Sequence, residues 1–222
     1  MRFIYIVVLS ILMVSCNNHP PRSAESTTTA VDTSAIKTGQ ASVQICMTCH
    51  GNNAEGNIAL HAPALVNQDT WYLKQQLRNF KAGLRGDAKD SIGAQMAAIA
   101  RTLPDSQAID DIVAKIKALP ASLPAKTIEG NLENGLDHYN MICGACHGPG
   151  GIGNQDLKAP KLTGINDWYL KRQLINFKSG LRGSHPDDKT GAQMKQMAAT
   201  LGDEKAIDNV VAYIHSLQDK KQ

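Results

Sequence analysis

Two stretches of the chain place apolar residues on one face of a helix, at spacings of i, i+4, i+7 and i+11. These residues are Leu73, Leu77, Phe80 and Leu84 in the first stretch and Leu170, Leu174, Phe177 and Leu181 in the second. Gly83 and Gly180 stand where the C-terminus of a helix favours glycine. No stretch carries a convincing strand pattern, so the chain is predicted to be all-α.

One further helix is predicted after each of these two stretches. Its apolar positions are Ile109, Ile112, Val113, Ile116 and Leu119, with the same spacing in Ile207, Val210, Val211, Ile214 and Leu217. Asp105 and Asp203 precede these helices, where a carboxylate caps the first turn and suits the helix dipole.

These similarities reflect an internal duplication of the chain. The segment APALVNQDTWYLKQQLRNFKAGLRG (62–86) returns as APKLTGINDWYLKRQLINFKSGLRG (159–183), and GAQM (93–96) returns at 191–194. The second copy has one extra loop residue before GAQM. We therefore predict two domains, residues 36–120 and 131–222, joined by a Pro-rich linker at 121–130.

The N-terminus has the pattern of an export signal. Arg2 precedes an apolar run from Phe3 to Val14, which is too short to span a bilayer as a helix. The run ends in MVSC and resembles a bacterial lipoprotein signal, which predicts a signal peptide at 1–15 and a lipid anchor at Cys16 in the periplasm. Residues 16–35 are small and polar, as expected of a flexible tether. The alternative is an ordinary signal with a spare thiol.

The overall composition excludes some classes of protein. Hydrophobic residues make up 42% and charged residues 19%, which argues against a disordered chain. The net charge of +3 is too small to favour nucleic acid as a partner. Aromatic residues are only 5%, so two small domains would have thin cores unless another group filled them.

Each copy contains the motif C-x-x-C-H, a pattern of covalent haem attachment. Two cysteine sulfurs form thioethers with the two vinyl groups of one haem, and the adjacent histidine lies under the iron. The residues concerned are Cys46, Cys49 and His50 in the first copy and Cys143, Cys146 and His147 in the second. Two covalently bound haem c groups are therefore predicted.

Three other interpretations of the motif are open. A catalytic disulfide pair is expected in a βαβ setting, which the sequence does not predict. A zinc site needs four ligands, whereas each motif offers three. A structural disulfide between neighbouring cysteines is compatible with an exported protein.

An electron-transfer haem also needs a second axial ligand. Met96 and Met194 occupy the same place in the two GAQM motifs and are predicted to be these ligands. Met197 is the rival in the second copy, but the matching residue of the first copy, Ile99, cannot bind iron.

With these motifs, the chain resembles a tandem class I cytochrome c of the di-haem c-four type over about residues 36–219. The resemblance implies an all-α fold in each domain and His/Met ligation by His50, Met96, His147 and Met194. It also implies that the carbonyls of Pro63 and Pro160 accept hydrogen bonds from the proximal histidines.

The resemblance further suggests that Arg85 and Arg182 bind haem propionates, the alternative being solvated arginines at helix ends. Trp71, Tyr72, Trp168 and Tyr169 are expected to pack in the core or against haem.

The predicted function is a membrane-anchored, periplasmic carrier of single electrons between protein partners of the respiratory chain, and not an enzyme. One alternative is an electron-entry subunit of a larger oxidase or dehydrogenase. A di-haem peroxidase is disfavoured, because it needs one iron with an open face and both copies carry GAQM.

Overall fold

The computed structural model of the protein describes residues 39–218, with side chains from residue 43 onward. The first copy contains α1 (Gly39–His50), α2 (Thr70–Lys81), α3 (Ser91–Thr102) and α4 (Ser106–Lys117). The second contains α5 (Leu132–His138), α6 (Gly144–His147), α7 (Asp167–Ser179), α8 (Lys189–Ala199) and α9 (Glu204–Ser216). The predicted signal peptide, the tether and Cys16 lie outside the described residues.

The all-α prediction is confirmed for this part of the chain. Residues 39–218 contain two isolated β-bridges, Asn57–Ala62 and Asn154–Ala159, but no strand. None of the helices described has the length and apolarity that a bilayer span requires.

The helices of the two copies pack in matching pairs. In the first copy, α2 packs on α3 and α4, and α1 packs on α4; in the second, α7 packs on α8 and α9, and α5 packs on α9. The amphipathic helices α4 and α9 each contribute four buried apolar side chains to the core of their own copy, as their spacing predicted. These are Ile109, Ile112, Val113 and Ile116 in the first core and Ile207, Val210, Val211 and Ile214 in the second.

The ends of the helices follow the sequence with one correction. Asp105 accepts a hydrogen bond from the backbone N–H of Ala108, and Asp203 caps α9 in the same way, which confirms both caps. Gly83 and Gly180 have φ values of +77° and +80° just after α2 and α7, which confirms their terminating role.

The correction concerns Leu84 and Leu181. The periodicity placed them on the helices, but each follows the left-handed glycine that ends its helix. A positive φ turns the chain away from the helix axis, so the last member of each apolar set lies in the following loop.

The two copies meet through reciprocal hydrogen bonds. The backbone N–H of Ala64 donates to Asn166 Oδ1 at 2.6 Å, and the backbone N–H of Lys161 donates to Asp69 Oδ2 at 2.9 Å. Both pairs join the same two positions of the repeat, because 161 − 64 = 97 and 166 − 69 = 97. The interface therefore has the reciprocity of a pseudo-twofold axis.

The chain between the copies is held by Asp167 at the start of α7. Residues 120–131 have no regular secondary structure. The buried carboxylate of Asp167 accepts hydrogen bonds from the backbone N–H and hydroxyl of Thr127 and from the N–H of Ile128, at 2.6–2.8 Å. This connection is thereby fixed against the second copy.

Candidate functional site

The two C-x-x-C-H motifs end the first helical segment of each copy. Cys46, Cys49 and His50 occupy the last turn of α1. In the second copy, a π-helical turn (Tyr139–Cys143) leads into α6, which carries Cys146 and His147. Both histidines are buried, with 4% and 5% of their surface exposed, whereas Cys49 and Cys146 face outward.

Each buried imidazole is oriented by a proline carbonyl. His50 Nδ1 donates to the oxygen of Pro63 at 2.7 Å, and His147 Nδ1 donates to the oxygen of Pro160 at 2.8 Å, which confirms the predicted hydrogen bonds. Burial lowers the pKa of both histidines, although the proline carbonyls act in the opposite direction. Each ring is therefore neutral at pH 7, and its Nε2 lone pair is available to a metal.

The cysteines do not have the properties of a redox pair. Burial raises the pKa of Cys46 and Cys143 to about 11, so both stay protonated at neutral pH, whereas reactive disulfide-exchange cysteines have lowered values. Cys143 and Cys146 are not joined in a disulfide. Within residues 39–218, no three His, Cys, Asp or Glu side chains converge in the manner of a zinc site.

A cavity of about 400 Å³ brings the predicted ligands of the second copy together. Cys143, Cys146, His147 and Met194 all line it, and so does the rival Met197. Its remaining walls are mostly apolar and include Leu162, Leu170, Leu174, Phe177, Val210 and Ile214. Such a space suits a flat apolar macrocycle, which would complete a core that is poor in aromatic side chains.

The helices that carry Met96 and Met194, α3 and α8, each approach the preceding loop closely at a pair of glycines. A Cβ on Gly86 would collide with the carbonyl oxygen of Gly93, and one on Gly183 would collide with that of Gly191. The repeated GLRG and GAQM motifs therefore need glycine for a close backbone approach. In the first copy this approach places Met96 on α3, where it packs against the cluster of Phe80, Ala97 and Ala100.

The two predicted arginines both reach the opposite copy. Arg85 donates from Nη2 to the hydroxyl of Tyr169 and to Gln173 Oε1, both at 2.9 Å, and from Nη1 to Gln76 Oε1 at 2.7 Å. Its guanidinium also lies over the ring of Phe80, 4.5 Å from the centroid.

Arg182 makes the equivalent set of contacts. It donates from Nη2 to the hydroxyl of Tyr72 at 2.8 Å and to Gln76 Oε1 at 2.9 Å, and from Nη1 to Gln173 Oε1 at 2.7 Å. It lies 4.4 Å from the centroid of Phe177. Arg85 and Arg182, with these two tyrosines and two glutamines, form what we call the arginine network.

No carboxylate accepts a hydrogen bond within the arginine network. Its hydrogen-bond acceptors are all uncharged, and Nε of Arg85 is buried without a hydrogen-bond partner. A buried guanidinium is costly unless an anion compensates it, so a carboxylate such as a haem propionate fits this position. Binding of propionates by Arg85 and Arg182 stays a prediction.

Sequence reasoning missed two members of this network. Gln76 and Gln173 each accept a bond from both arginines, and their exact recurrence in the duplicated segment was the available signal. Trp71 and Trp168 make edge-to-face contacts with Tyr72 and Tyr169, at centroid distances of 5.6 and 6.1 Å.

Comparison with known proteins agrees with this arrangement. The sequence profile of the family Cytochrome c matches residues 36–120 and again residues 132–218. The chain is 33% identical over 189 residues to cytochrome c4 of Stutzerimonas stutzeri, an alignment that covers 81% of this chain and 87% of that protein.

Two further relatives extend the comparison. The chain is 31% identical over 186 residues to the thiosulfate dehydrogenase electron acceptor of Stutzerimonas stutzeri (strain A1501), covering 79% of this chain and 80% of that protein. The fold resembles the crystal structure of reduced recombinant cytochrome c4 from Pseudomonas stutzeri, with a TM-score of 0.61 and 27% identity. That match covers 81% of this chain and 96% of the solved one.

A duplicated haem-attachment motif, an all-α fold and two consecutive family matches lead to one conclusion. The chain belongs to the cytochrome c family, with two tandem cytochrome c domains and two covalently bound haem c groups.

Proposed function

We propose that the protein is a periplasmic, lipid-anchored di-haem cytochrome that carries single electrons between respiratory proteins. One observation carries the proposal above all: Cys143, Cys146, His147 and Met194 line a single apolar cavity. The first copy has the same residue types on the matching helices.

In this proposal each domain holds one haem through thioethers, at Cys46 and Cys49 or at Cys143 and Cys146. Each thioether would form by addition of a cysteine S–H across a vinyl double bond, with sulfur on one carbon and hydrogen on the other. His50 with Met96, and His147 with Met194, would bind the iron of each haem, and Arg85 and Arg182 would hold the propionates. The bound haem iron supplies a one-electron change between ferric and ferrous states.

The protein's own residues favour electron transfer over substrate chemistry. The carbonyls of Pro63 and Pro160 keep each imidazole in one tautomer and orientation, so little structure has to change with the redox state. Methionine ligation raises the reduction potential. If Met96 and Met194 both bind iron in addition to the histidines, neither haem would have a free position for peroxide, which disfavours a peroxidase.

An optical spectrum of the purified protein tests the proposal. We expect two c-type haems per chain in a pyridine haemochrome assay, together with the weak far-red band of methionine-to-iron ligation. Colourless protein, or a ferrous protein that binds carbon monoxide at either haem while folded, contradicts it. Peroxide turnover by the native protein would support the peroxidase alternative.

The similarity to a thiosulfate dehydrogenase electron acceptor supports a second candidate. The chain would then take electrons as a subunit of a dehydrogenase or oxidase complex rather than as a free carrier. Affinity purification of the tagged chain from detergent-solubilised membranes separates the two. A subunit brings down a stoichiometric redox enzyme that survives high salt, whereas a free carrier is recovered alone.

A further inference from the structure

The approach to the second haem-attachment motif differs from the approach to the first. α1 is an unbroken α-helix as far as His50, whereas a π-helical turn from Tyr139 to Cys143 precedes His147. π-Turns within helices occur frequently at functional sites. This one begins at Tyr139, a side chain with only 2% of its surface exposed.

Tyr139 contacts the loop that directly follows the proximal histidine. Its hydroxyl donates a hydrogen bond to the carbonyl oxygen of Gly148 at 2.6 Å. Gly148 has φ +74° and ψ 166°, a conformation that residues with a side chain rarely adopt. The backbone of this loop also bonds back to His147, whose carbonyl accepts from the N–H of Gly153 at 2.8 Å. The tyrosine therefore holds the peptide that directly follows His147.

The ring of Tyr139 fills a space that the motif itself leaves open. A Cβ on Gly144, inside C-G-A-C-H, would lie 3.3 Å from Cε1 of Tyr139. On its other side the ring packs against Tyr213 of α9, with centroids 5.5 Å apart. The ring thus braces the haem-attachment turn against the core of the second domain.

The first domain fills the same place differently. With the offset of 147 − 50 = 97, Gly144 corresponds to Met47, which is buried in the first core. The π-turn adds one residue before this point, so Tyr139 corresponds to Val43, which packs against the same core. Valine has no hydroxyl group, and Met47 supplies the bulk that Gly144 lacks. Among the described residues of the first domain, no side-chain hydroxyl donates a hydrogen bond to the loop after His50.

On the basis of the ligand role proposed above for His147, we propose that Tyr139 is a positioning residue of the second haem site. Its hydrogen bond to Gly148 holds the loop after His147 and thereby the imidazole, so that the bond from His147 to Pro160 keeps its length. This control acts on one haem only, which makes the two sites of the duplicated chain inequivalent.

The variant Tyr139→Phe in the full haem-loaded protein tests the inference, because it removes the hydroxyl and keeps the ring. The midpoint potentials of the two haems are measured by spectroelectrochemistry, and Met194→Leu identifies the signals of the second haem. We expect the midpoint potential of the second haem to rise and that of the first haem to stay unchanged. A looser loop weakens the bond from His147 to Pro160 and makes the imidazole a poorer donor to ferric iron.

Proton NMR of the ferric protein supplies an independent measurement. We expect Tyr139→Phe to shift the hyperfine-shifted resonances of the second haem alone. Tyr213→Phe is the matched control, since it removes a hydroxyl from the adjacent ring and should leave both haems unchanged. Gly144→Ala crowds the ring of Tyr139 and should move the same haem as Tyr139→Phe.

Two results overturn the inference: a haem-loaded Tyr139→Phe protein with both potentials and spectra unchanged, or one in which both haems shift equally. The proposed function fails separately, if the wild-type protein lacks two haems or if neither Met194→Leu nor Met197→Leu alters the second haem.

Discussion

The guanidinium of Arg85 donates a 2.9 Å hydrogen bond to the hydroxyl of Tyr169, so an arginine of one cytochrome c domain is held by a side chain of the other. Arg182 and Tyr72 make the reciprocal bond at 2.8 Å. Two guanidinium groups therefore lie in the domain interface, and each donates hydrogen bonds to neutral side chains of both domains.

Tyr169→Phe should destabilise the haem-loaded protein. The change removes an acceptor from a charged donor in the interface, so we expect the free energy of unfolding to fall by about 1–2 kcal/mol. Denaturant unfolding followed by circular dichroism measures it. Tyr213→Phe serves as the control, and equal losses in both variants would show that the bond to Arg85 contributes nothing.

Asp167→Asn should destabilise the protein in a pH-dependent way. Burial raises the pKa of Asp167, but its hydrogen bonds with Thr127, Ile128 and Trp168 outweigh burial and hold the pKa below 3.8. The unfolded state therefore binds the proton more readily. The stabilisation is present above pH 3.8 and is lost as pH falls through the folded pKa.

At pH 7 we expect Asp167→Asn to lower the free energy of unfolding by about 2 kcal/mol, since the neutral amide cannot accept all of these bonds. The difference from wild type should shrink in acid below the folded pKa. Urea titrations at a series of pH values measure both effects. Glu129→Gln is the matched control, because Glu129 pairs with Lys126 at an exposed position of the same connection. A loss for Asp167→Asn that is the same at every pH contradicts the assignment.

Met194→Leu should remove one axial ligand, whereas Met197→Leu should not. Both side chains line the cavity of the second domain, but only Met194 has a methionine counterpart, Met96. We expect Met194→Leu to lose half of the far-red absorbance and to bind one carbon monoxide per chain when reduced. Met197→Leu should resemble wild type, and the opposite result would make Met197 the ligand.

Cys16→Ser should release the protein from the membrane if the predicted lipid anchor exists. We expect wild-type protein in the membrane fraction and the variant in the soluble periplasmic fraction, each with two haems. Mass spectrometry of the mature N-terminus provides the direct check. A wild-type protein without a diacylglyceryl group on Cys16 would favour the ordinary export signal.

Much of the fold follows from short-range patterns. The apolar faces of α4 and α9, the caps at Asp105 and Asp203 and the turns at Gly83 and Gly180 depend on residues a few positions apart. The errors of these patterns also concern single positions, at the ends of helices. Periodicity extended α2 and α7 to Leu84 and Leu181, because spacing alone does not register a left-handed glycine.

Some residues of the candidate site could be predicted from short motifs, and others could not. The C-x-x-C-H motifs and their proline partners were predictable, because the motif chemistry requires adjacent residues and the resemblance supplied the prolines. The partners of Arg85 were not, since Tyr169 and Gln173 are 84 and 88 positions away in sequence. Tyr139 also escaped prediction, because the first copy has no matching tyrosine and its role arises from a π-turn.

The sequence by itself determined that the chain is duplicated, helical and equipped with a haem-attachment motif in each copy. Only the tertiary structure decided that the arginines bind across the interface and that Tyr139 braces one motif alone. Local sequence sets the spacing of side chains along one helix, a few ångströms apart. Which distant side chains meet depends on how whole helices pack, and that is a collective property of both domains.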